Sequence, residues 1–378
     1  MAGARHHVVL VPGFFGFGNF GDLRYFVGVA DALRRGFQAH AVDLEIVEVA
    51  TLPTASIRHR AARVRETVAA LDGRGDVVHL VGHSTGGLDV RLATAPVATL
   101  PTEAVIRPDR IGAIVTVSTP HRGTPLADLL GSAFGRPILS VGASLAYRAF
   151  KRERIPVRAA LRLGAMFSRF DDWLGQRDTV LDQLYRDLLA DFSEERRGAI
   201  SDWIEAIASD QSLVFQLTAA GCDVLNACTA EPDVPHGSVI TRAPAPTVRS
   251  LLRRDLYAAG SHFVYALLYG LAARSTAADV GAREQGSLAG HLAPSHNDGI
   301  VPSRSQIWGQ VVALVEADHL DVVGHYGSAG GRDALAEADW LPSGAGFDDR
   351  AFDRLWSDVA TFLVDASSHS QRRPGPRA

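Results

Sequence analysis

The sequence predicts an α/β fold, a mostly parallel central sheet flanked by helices and carrying a large helical insertion. Three observations predict it. Short runs of β-branched and apolar residues alternate with helical stretches across residues 1–120. That alternation stops after His121, where mainly helical patterns follow, and it resumes near Asp298. Alternating strand and helix with short connections implies parallel strands covered on both faces.

Val8 to Val11 is a buried strand ending at the Pro12-Gly13 turn. A helical stretch runs from about Asp22 to Arg35, before Gly36, and Ala39 to Leu44 is the second strand. Ser56 to Leu71 has helical spacing, many arginines and an Asp72-Gly73 stop. Val77 to Val81 is a third strand, Thr85 to Ala95 a helix, and Ile111 to Val117 a strand ending at Ser118-Thr119-Pro120. Thr179 to Phe192 and Ser201 to Leu217 read as helices, Val234 to Thr241 as a candidate strand, and Ser261 to Arg274 as an apolar helix. Gln310 to Ala317 is a strand, and Phe352 to Val364 a closing amphipathic helix. The expected organisation is a core of residues 1–120 and 291–366, a lid or cap of 121–290, and a frayed tail of 367–378.

Composition excludes several classes. The 378 residues are 47% hydrophobic, with 38 basic against 42 acidic side chains, so nothing suggests a nucleic-acid surface. The longest apolar run, Phe263 to Ala273, is too short to span a bilayer. Cys222 and Cys228 fit neither a disulfide scaffold nor a common zinc site; they read as free or buried thiols, with a local disulfide as the alternative. The first strand begins within ten residues of Met1, and no leader with the longer apolar core of a secretory signal is visible ahead of it. The expected location is cytoplasmic, or secreted where a leader has been removed.

Gly82-His83-Ser84-Thr85-Gly86 is a G-x-S-x-G motif between a strand and a helix. In that context the serine sits on a sharp turn above the C-terminal edge of the sheet, and the helix N-terminus behind it supplies amide donors. A serine hydroxyl needs a base, itself oriented by an acid, and in this context they follow in the order serine, acid, histidine. Asp298, in the turn Asn297-Asp298-Gly299, is the candidate acid. His319, after the Gln310–Ala317 strand, is the candidate base, with Asp318 as the alternative acid. The backbone N–H groups of Phe14 and Thr85 are the candidate oxyanion donors. Phe15, Phe17, His83, Phe263 and Leu267 are candidate substrate-binding residues. The four phenylalanines Phe14, Phe15, Phe17 and Phe20 suit an acyl-chain wall, with core packing the alternative for two of them. Ser261 to Arg274 suits either a lid helix or a core helix of the insertion.

These pieces, with Ser118-Thr119-Pro120-His121-Arg122-Gly123, Leu217 to Asn226 and His319-Leu320-Asp321, make the chain resemble bacterial lipases of the α/β-hydrolase superfamily. The likeness is to the true-lipase family of pseudomonads, and it implies the α/β-hydrolase fold. It implies serine-dependent hydrolysis of acylglycerols or other medium- and long-chain acyl esters, with transient contact with a lipid interface. A short-chain carboxylesterase or thioesterase is the alternative. The family has a histidine where this chain has Pro12. No organic cofactor is implied. The resemblance does imply a structural calcium site, for which Asp321 matches one ligand. His325 stands where a glutamine ligand is expected, so calcium dependence is expected to be weak at most.

Two rival readings are more distant. Gly16-Phe17-Gly18-Asn19-Phe20-Gly21 outlines a dinucleotide fingerprint, with Asp43 as the ribose acid. Against it, Pro12 to Phe15 separate the strand from the first glycine, and Phe17 and Phe20 would crowd a pyrophosphate. A hydrolase fold serving only as a binding protein usually lacks one of the three reacting residues, and this chain has all three.

Overall fold

The computed structural model describes residues 5–14, 24–52, 54–71, 76–96, 98–131, 212–247, 256–274, 291–327, 339 and 341–370. Its centre is a six-stranded sheet in the order β2-β1-β3-β4-β5-β6, with every neighbouring pair parallel. The strands are β1 (His6–Val11), β2 (Leu44–Glu48), β3 (Val77–His83), β4 (Ile111–Val117), β5 (His236–Arg242) and β6 (Gln310–Glu316). This order differs from the 3-2-1-4-5-6 order of the dinucleotide-binding fold. The glycine-rich stretch 16–21 lies outside the described residues.

Strand residues alternate between the two faces, and both faces are covered. Val8 and Leu10 of β1 join Val81, Val115 and the apolar sides of α1 (Val29–Ala39) and α8 (Asp349–Ser370). Val9 and Val11 point the other way. They meet Leu80, Ile114 and residues of α2 (Ile57–Ala70) and α3 (Thr85–Thr94). Burial on both sides explains why the central strands read as near-continuous apolar runs in the sequence. The remaining described helices are α4 (Pro125–Gly131), α5 (Ser212–Gln216), α6 (Ala219–Cys228) and α7 (Leu256–Ala272). None of the described helices is long and apolar enough to cross a membrane. Cys222 is buried and Cys228 exposed, and neither is in a disulfide.

Three sequence expectations shift. The second strand is Leu44–Glu48, not Ala39 to Leu44, because β2 is the sheet edge and its exposed Glu45 and Glu48 break the apolar run. The first helix begins at Val29 and not at Asp22, since Gly28 sits at φ 72°, a left-handed conformation outside helical geometry. The stretch 121–290 is not wholly an insertion. Residues 236–242 form β5, which pairs with β4 and β6 inside the sheet. The expected helices Thr179 to Phe192 and most of Ser201 to Leu217 lie outside the described residues.

Because the strands are parallel, their C-terminal ends share one edge of the sheet, where Pro12, Ser84, Ser118, Ala243 and Ala317 follow the strands. Ligand sites in open α/β sheets lie at this edge.

Candidate active site

Ser84 links β3 to α3 in a conformation rare for a residue with a side chain, φ 54° and ψ −127°. Its N–H donates to the Val117 carbonyl at 2.8 Å, which ties the turn to β4. A Cβ on Gly86 would overlap the Val11 carbonyl, so α3 packs this close to β1 only because glycine stands there. Strain of this kind persists where surrounding structure enforces it.

Three loops bring Ser84, His319 and Asp298 into one hydrogen-bonded line. His319 Nδ1 lies 2.8 Å from Asp298 Oδ2, and His319 Nε2 lies 2.9 Å from Ser84 Oγ. An ionised carboxylate only accepts, so Nδ1 carries the proton and donates to Asp298. Nε2 is then bare and accepts from the Ser84 hydroxyl. Asp298 is fully buried, and His319 and Ser84 nearly so.

The Asp298 carboxylate is held on both oxygens. Oδ1 accepts from the amides of Ile300 at 3.0 Å and Val301 at 2.7 Å. Oδ2 accepts from the Thr241 hydroxyl at 2.8 Å and from Gln306 Nε2 at 3.1 Å, besides His319. The Thr241 amide donates to Gln306 Oε1 at 2.7 Å, which fixes which end of that amide faces Asp298. Asp318, the alternative acid, is occupied elsewhere: its Oδ1 accepts from the amides of Leu320 and Asp321. Asp298, and not Asp318, is the carboxylate that reaches His319.

The loop after β1 is clamped from below. Arg60 and Asp89 form a fully buried ion pair at 2.8 Å. The same guanidinium donates to the carbonyls of Leu52 at 2.6 Å, Pro12 at 2.7 Å and Gly13 at 3.2 Å. The two carbonyls preceding Phe14 are thus held on one side of the loop. Burial raises the Asp89 carboxyl to about 6, opposed by Arg60. Thr85 is the first residue of α3, where backbone amides lack intrahelical partners. Phe14 packs against an apolar cluster that includes Leu88, Leu213 and Leu217.

Among the substrate-binding candidates, His83 is placed differently from the sequence expectation. It is buried behind Ser84, with Nδ1 bonded to the Tyr25 hydroxyl at 2.6 Å and Nε2 to the His319 carbonyl at 2.9 Å. Neither nitrogen is left for a substrate. Leu267 is 52% exposed on α7. The packed face of that helix carries Tyr265 and Tyr269 instead, because Tyr265 can bury its ring while its hydroxyl donates to the Pro244 carbonyl. Phe15 and Phe17 lie outside the described residues, as does the side chain of Phe263.

The calcium ligand implied for Asp321 finds different company from the expected pattern. Asp318, Asp321 and Asp339 each offer a carboxylate oxygen within 4.8 Å of the others. His325 does not join them; its Nε2 lies 3.1 Å from the Tyr25 carbonyl, to which it donates. Burial, with repulsion from Asp321 and Asp339, pushes the Asp318 carboxyl well above its usual range. Burial likewise raises Asp321 to about 7. A set of hard, mutually repelling oxygens suits a divalent cation such as calcium, which would tie the segment around His319 to residue 339.

Sequence reasoning missed Tyr25, Arg60, Asp89, Thr241 and Gln306. Asp89 carried a faint signal, a carboxylate between Leu88 and Val90 inside a helix. Arg60 carried none, lying among Arg58, Arg63 and Arg65 on the same helix.

A parallel sheet with a strained serine between strand and helix, facing a histidine paired to an aspartate, is an arrangement that suits nucleophilic attack by the serine. The chain belongs to the alpha/beta hydrolase family, whose model matches residues 8–268. Asp298 and His319 lie beyond that match, and their place in the site rests on geometry. Over 146 residues the chain is 32% identical to a triacylglycerol lipase of Pseudomonas fragi, covering 37% of this chain and 44% of that one. It is 29% identical over 128 residues to a triacylglycerol lipase of Vibrio cholerae, covering 33% and 36%. The chain therefore spans less than half the length of either relative. Among solved structures, the Staphylococcus hyicus lipase superposes with a TM-score of 0.52 at 16% identity, covering 96% of each chain. EstA from Clostridium botulinum gives 0.52 at 20% identity, covering 96% of this chain and 88% of that one. At such identities these two share the fold.

Proposed function

We propose that the protein hydrolyses carboxylic esters through an acyl-enzyme on Ser84, with acylglycerols or other medium- and long-chain acyl esters as substrates. The single observation that carries the reading is the line Ser84 Oγ, His319 Nε2, His319 Nδ1, Asp298 Oδ2, with both separations under 3.0 Å.

In the first half-reaction Ser84 Oγ attacks the ester carbonyl carbon and its proton passes to His319 Nε2. Asp298 stabilises the imidazolium that forms, and the amides of Phe14 and Thr85 hold the oxyanion. The tetrahedral intermediate collapses, and His319 gives its proton to the departing alcohol. Water, deprotonated by His319, then attacks the acyl-enzyme and frees the acid and Ser84. The carboxylate cluster at Asp318 takes no part in these steps.

The lipase names of the partial relatives favour a long acyl chain, and so does the apolar cluster against which Phe14 packs. Leu267 fits contact with a lipid surface through its exposed position, without any rotation of α7. A fluorophosphonate probe should label wild-type protein and not Ser84→Ala. Hydrolysis of p-nitrophenyl esters should rise from two towards eight or more acyl carbons, and should rise again when substrate forms an emulsion. Leu267→Asp should weaken the second rise only. Labelling with activity confined to soluble acetate and butyrate esters would make the protein a short-chain esterase. No labelling at all would overturn the hydrolase reading.

A further inference from the structure

We propose that Tyr25 and His83 are a positioning pair that couples the loop carrying the oxyanion donor to the backbone of the reacting histidine. The inference rests on the hydrolase reading and deepens it.

Three hydrogen bonds run in series beneath Ser84. They join the Gly13 amide to Tyr25 Oη at 2.8 Å, Tyr25 Oη to His83 Nδ1 at 2.6 Å, and His83 Nε2 to the His319 carbonyl at 2.9 Å. Their directions follow from what each atom is able to do. The His319 carbonyl only accepts, so His83 Nε2 must carry the proton. A neutral His83 then has a bare Nδ1, to which the Tyr25 hydroxyl donates. The tyrosine oxygen in turn accepts from Gly13. With His83 neutral, this one arrangement of protons satisfies all three bonds.

Its two ends are functional segments far apart in sequence. Gly13 precedes Phe14, whose N–H is the loop's oxyanion donor, and His319 is the base. The loop rests closely on both partners: a Cβ on Gly13 would lie 2.6 Å from Ser84 Cβ and 2.7 Å from Tyr25 Oη. Packing alone does not call for the hydroxyl, since a phenylalanine ring would fill the same space beside Phe26 and His83. The His83 ring stands 4.8 Å from that of His319. A positive charge there would oppose formation of the His319 imidazolium during the reaction. Burial, reinforced by the nearby His319, keeps His83 neutral well below its ordinary range. The pair therefore supplies a donor to the His319 backbone without adding charge to the site.

The test compares Tyr25→Phe, His83→Gln, His83→Leu and the Tyr25→Phe/His83→Leu double variant. Turnover is counted per serine titrated by a fluorophosphonate, so that misfolded protein drops out. Tyr25→Phe and His83→Leu should each lower kcat on the order of tenfold to a hundredfold with KM changed by less than about threefold, the signature of lost alignment. His83→Gln, whose amide nitrogen can reach the Nε2 position, should recover part of that loss. The double variant should fall short of the product of the two losses, because both break one series. Unchanged kcat per titrated site in both single variants would overturn the proposal and leave the pair as packing.

If the variants fail to fold, the wild-type protein still decides. Nitrogen-15 histidine spectra should show His83 as the neutral Nε2–H tautomer from pH 8 down to about 5. A charged ring or the Nδ1–H tautomer there would overturn the series. Failure of wild-type protein to react with the probe would sink the hydrolase reading, a result separate from the tautomer measurement.

Discussion

Gln306 donates from Nε2 to Asp298 Oδ2 at 3.1 Å, and its orientation is set by the Thr241 amide on its oxygen. The Asp298 carboxylate is thus aimed by a neutral side chain eight positions further along. Gln306→Glu keeps the acceptor for Thr241 and replaces the donor with a second carboxylate oxygen facing Asp298. We expect kcat to fall by about tenfold or more, because the two carboxylates repel and one is driven towards protonation. Gln306→Met, which removes the donor without adding charge, should cost less. Equal turnover for Gln306→Glu and wild type would show that Asp298 needs no such aim.

Replacing Ser84, His319 or Asp298 by alanine should each lower kcat by about three orders of magnitude, and the triple variant should be little worse than Ser84→Ala. Steady-state kinetics on one ester measures all four proteins. Near-normal turnover in Asp298→Ala would remove that residue from the mechanism.

The Arg60–Asp89 pair separates stability from activity. Arg60→Met strands a buried carboxylate and should cost about 3–5 kcal/mol in urea unfolding. The double variant Arg60→Met/Asp89→Leu should regain much of that stability. It should not regain activity, because the carbonyls of Pro12 and Gly13 have still lost their clamp. Full recovery of both would mean that Arg60 serves only to neutralise Asp89.

His79 lies buried at the opposite edge of the sheet, bonded to His6 at 3.0 Å, and burial lowers its pKa to about 3. The unfolded chain takes up a proton near pH 6.5 that the folded protein refuses, so this group destabilises the fold as pH falls from about 6.5 towards 3. Between pH 7 and 5 the loss is about 2 kcal/mol. His79→Gln, which does not titrate, should gain that amount on wild type over the same interval in denaturant unfolding. A stability difference independent of pH would contradict the assignment.

The carboxylate cluster revises the expectation of weak calcium dependence. Calcium should raise Tm by several degrees over protein in chelator, since a ligand at about a hundred times its Kd contributes roughly 2.7 kcal/mol. Asp339→Asn should lose most of that rise. Identical melting curves with chelator and with millimolar calcium would show that the three aspartates hold no ion.

Legibility in the sequence followed the range of the interactions involved. Ile111–Val117 could be read to the residue because a strand buried on both faces is apolar throughout. Ser84 stood out because strand, tight turn and helix leave a local signature. Asp298 and His319 were readable through loop chemistry and chain order. β5 was only a candidate strand, although it joins β4 to β6 in the sheet, because a long stretch of helical sequence pattern precedes it. Arg60 and Tyr25 were invisible, since an arginine on a helix or a tyrosine after a loop gains its role from partners many positions away. His83 was misread for the same reason: position beside the nucleophile says nothing about which way the ring turns.

The N–H of Ser84 is bonded to Val117, and that of His319 to the carbonyl of Asp298. Members of the hydrogen-bonded line are therefore tied through the main chain as well as through their side chains, His319 to Asp298 directly and Ser84 to β4. A chain in which β4 has not yet docked on β3 has no reason to keep Ser84 in its unfavourable turn, and so presents an ordinary serine. Competence should appear in one step during refolding, with no half-active species. Ester turnover can then serve as a clock for the last stage of assembly.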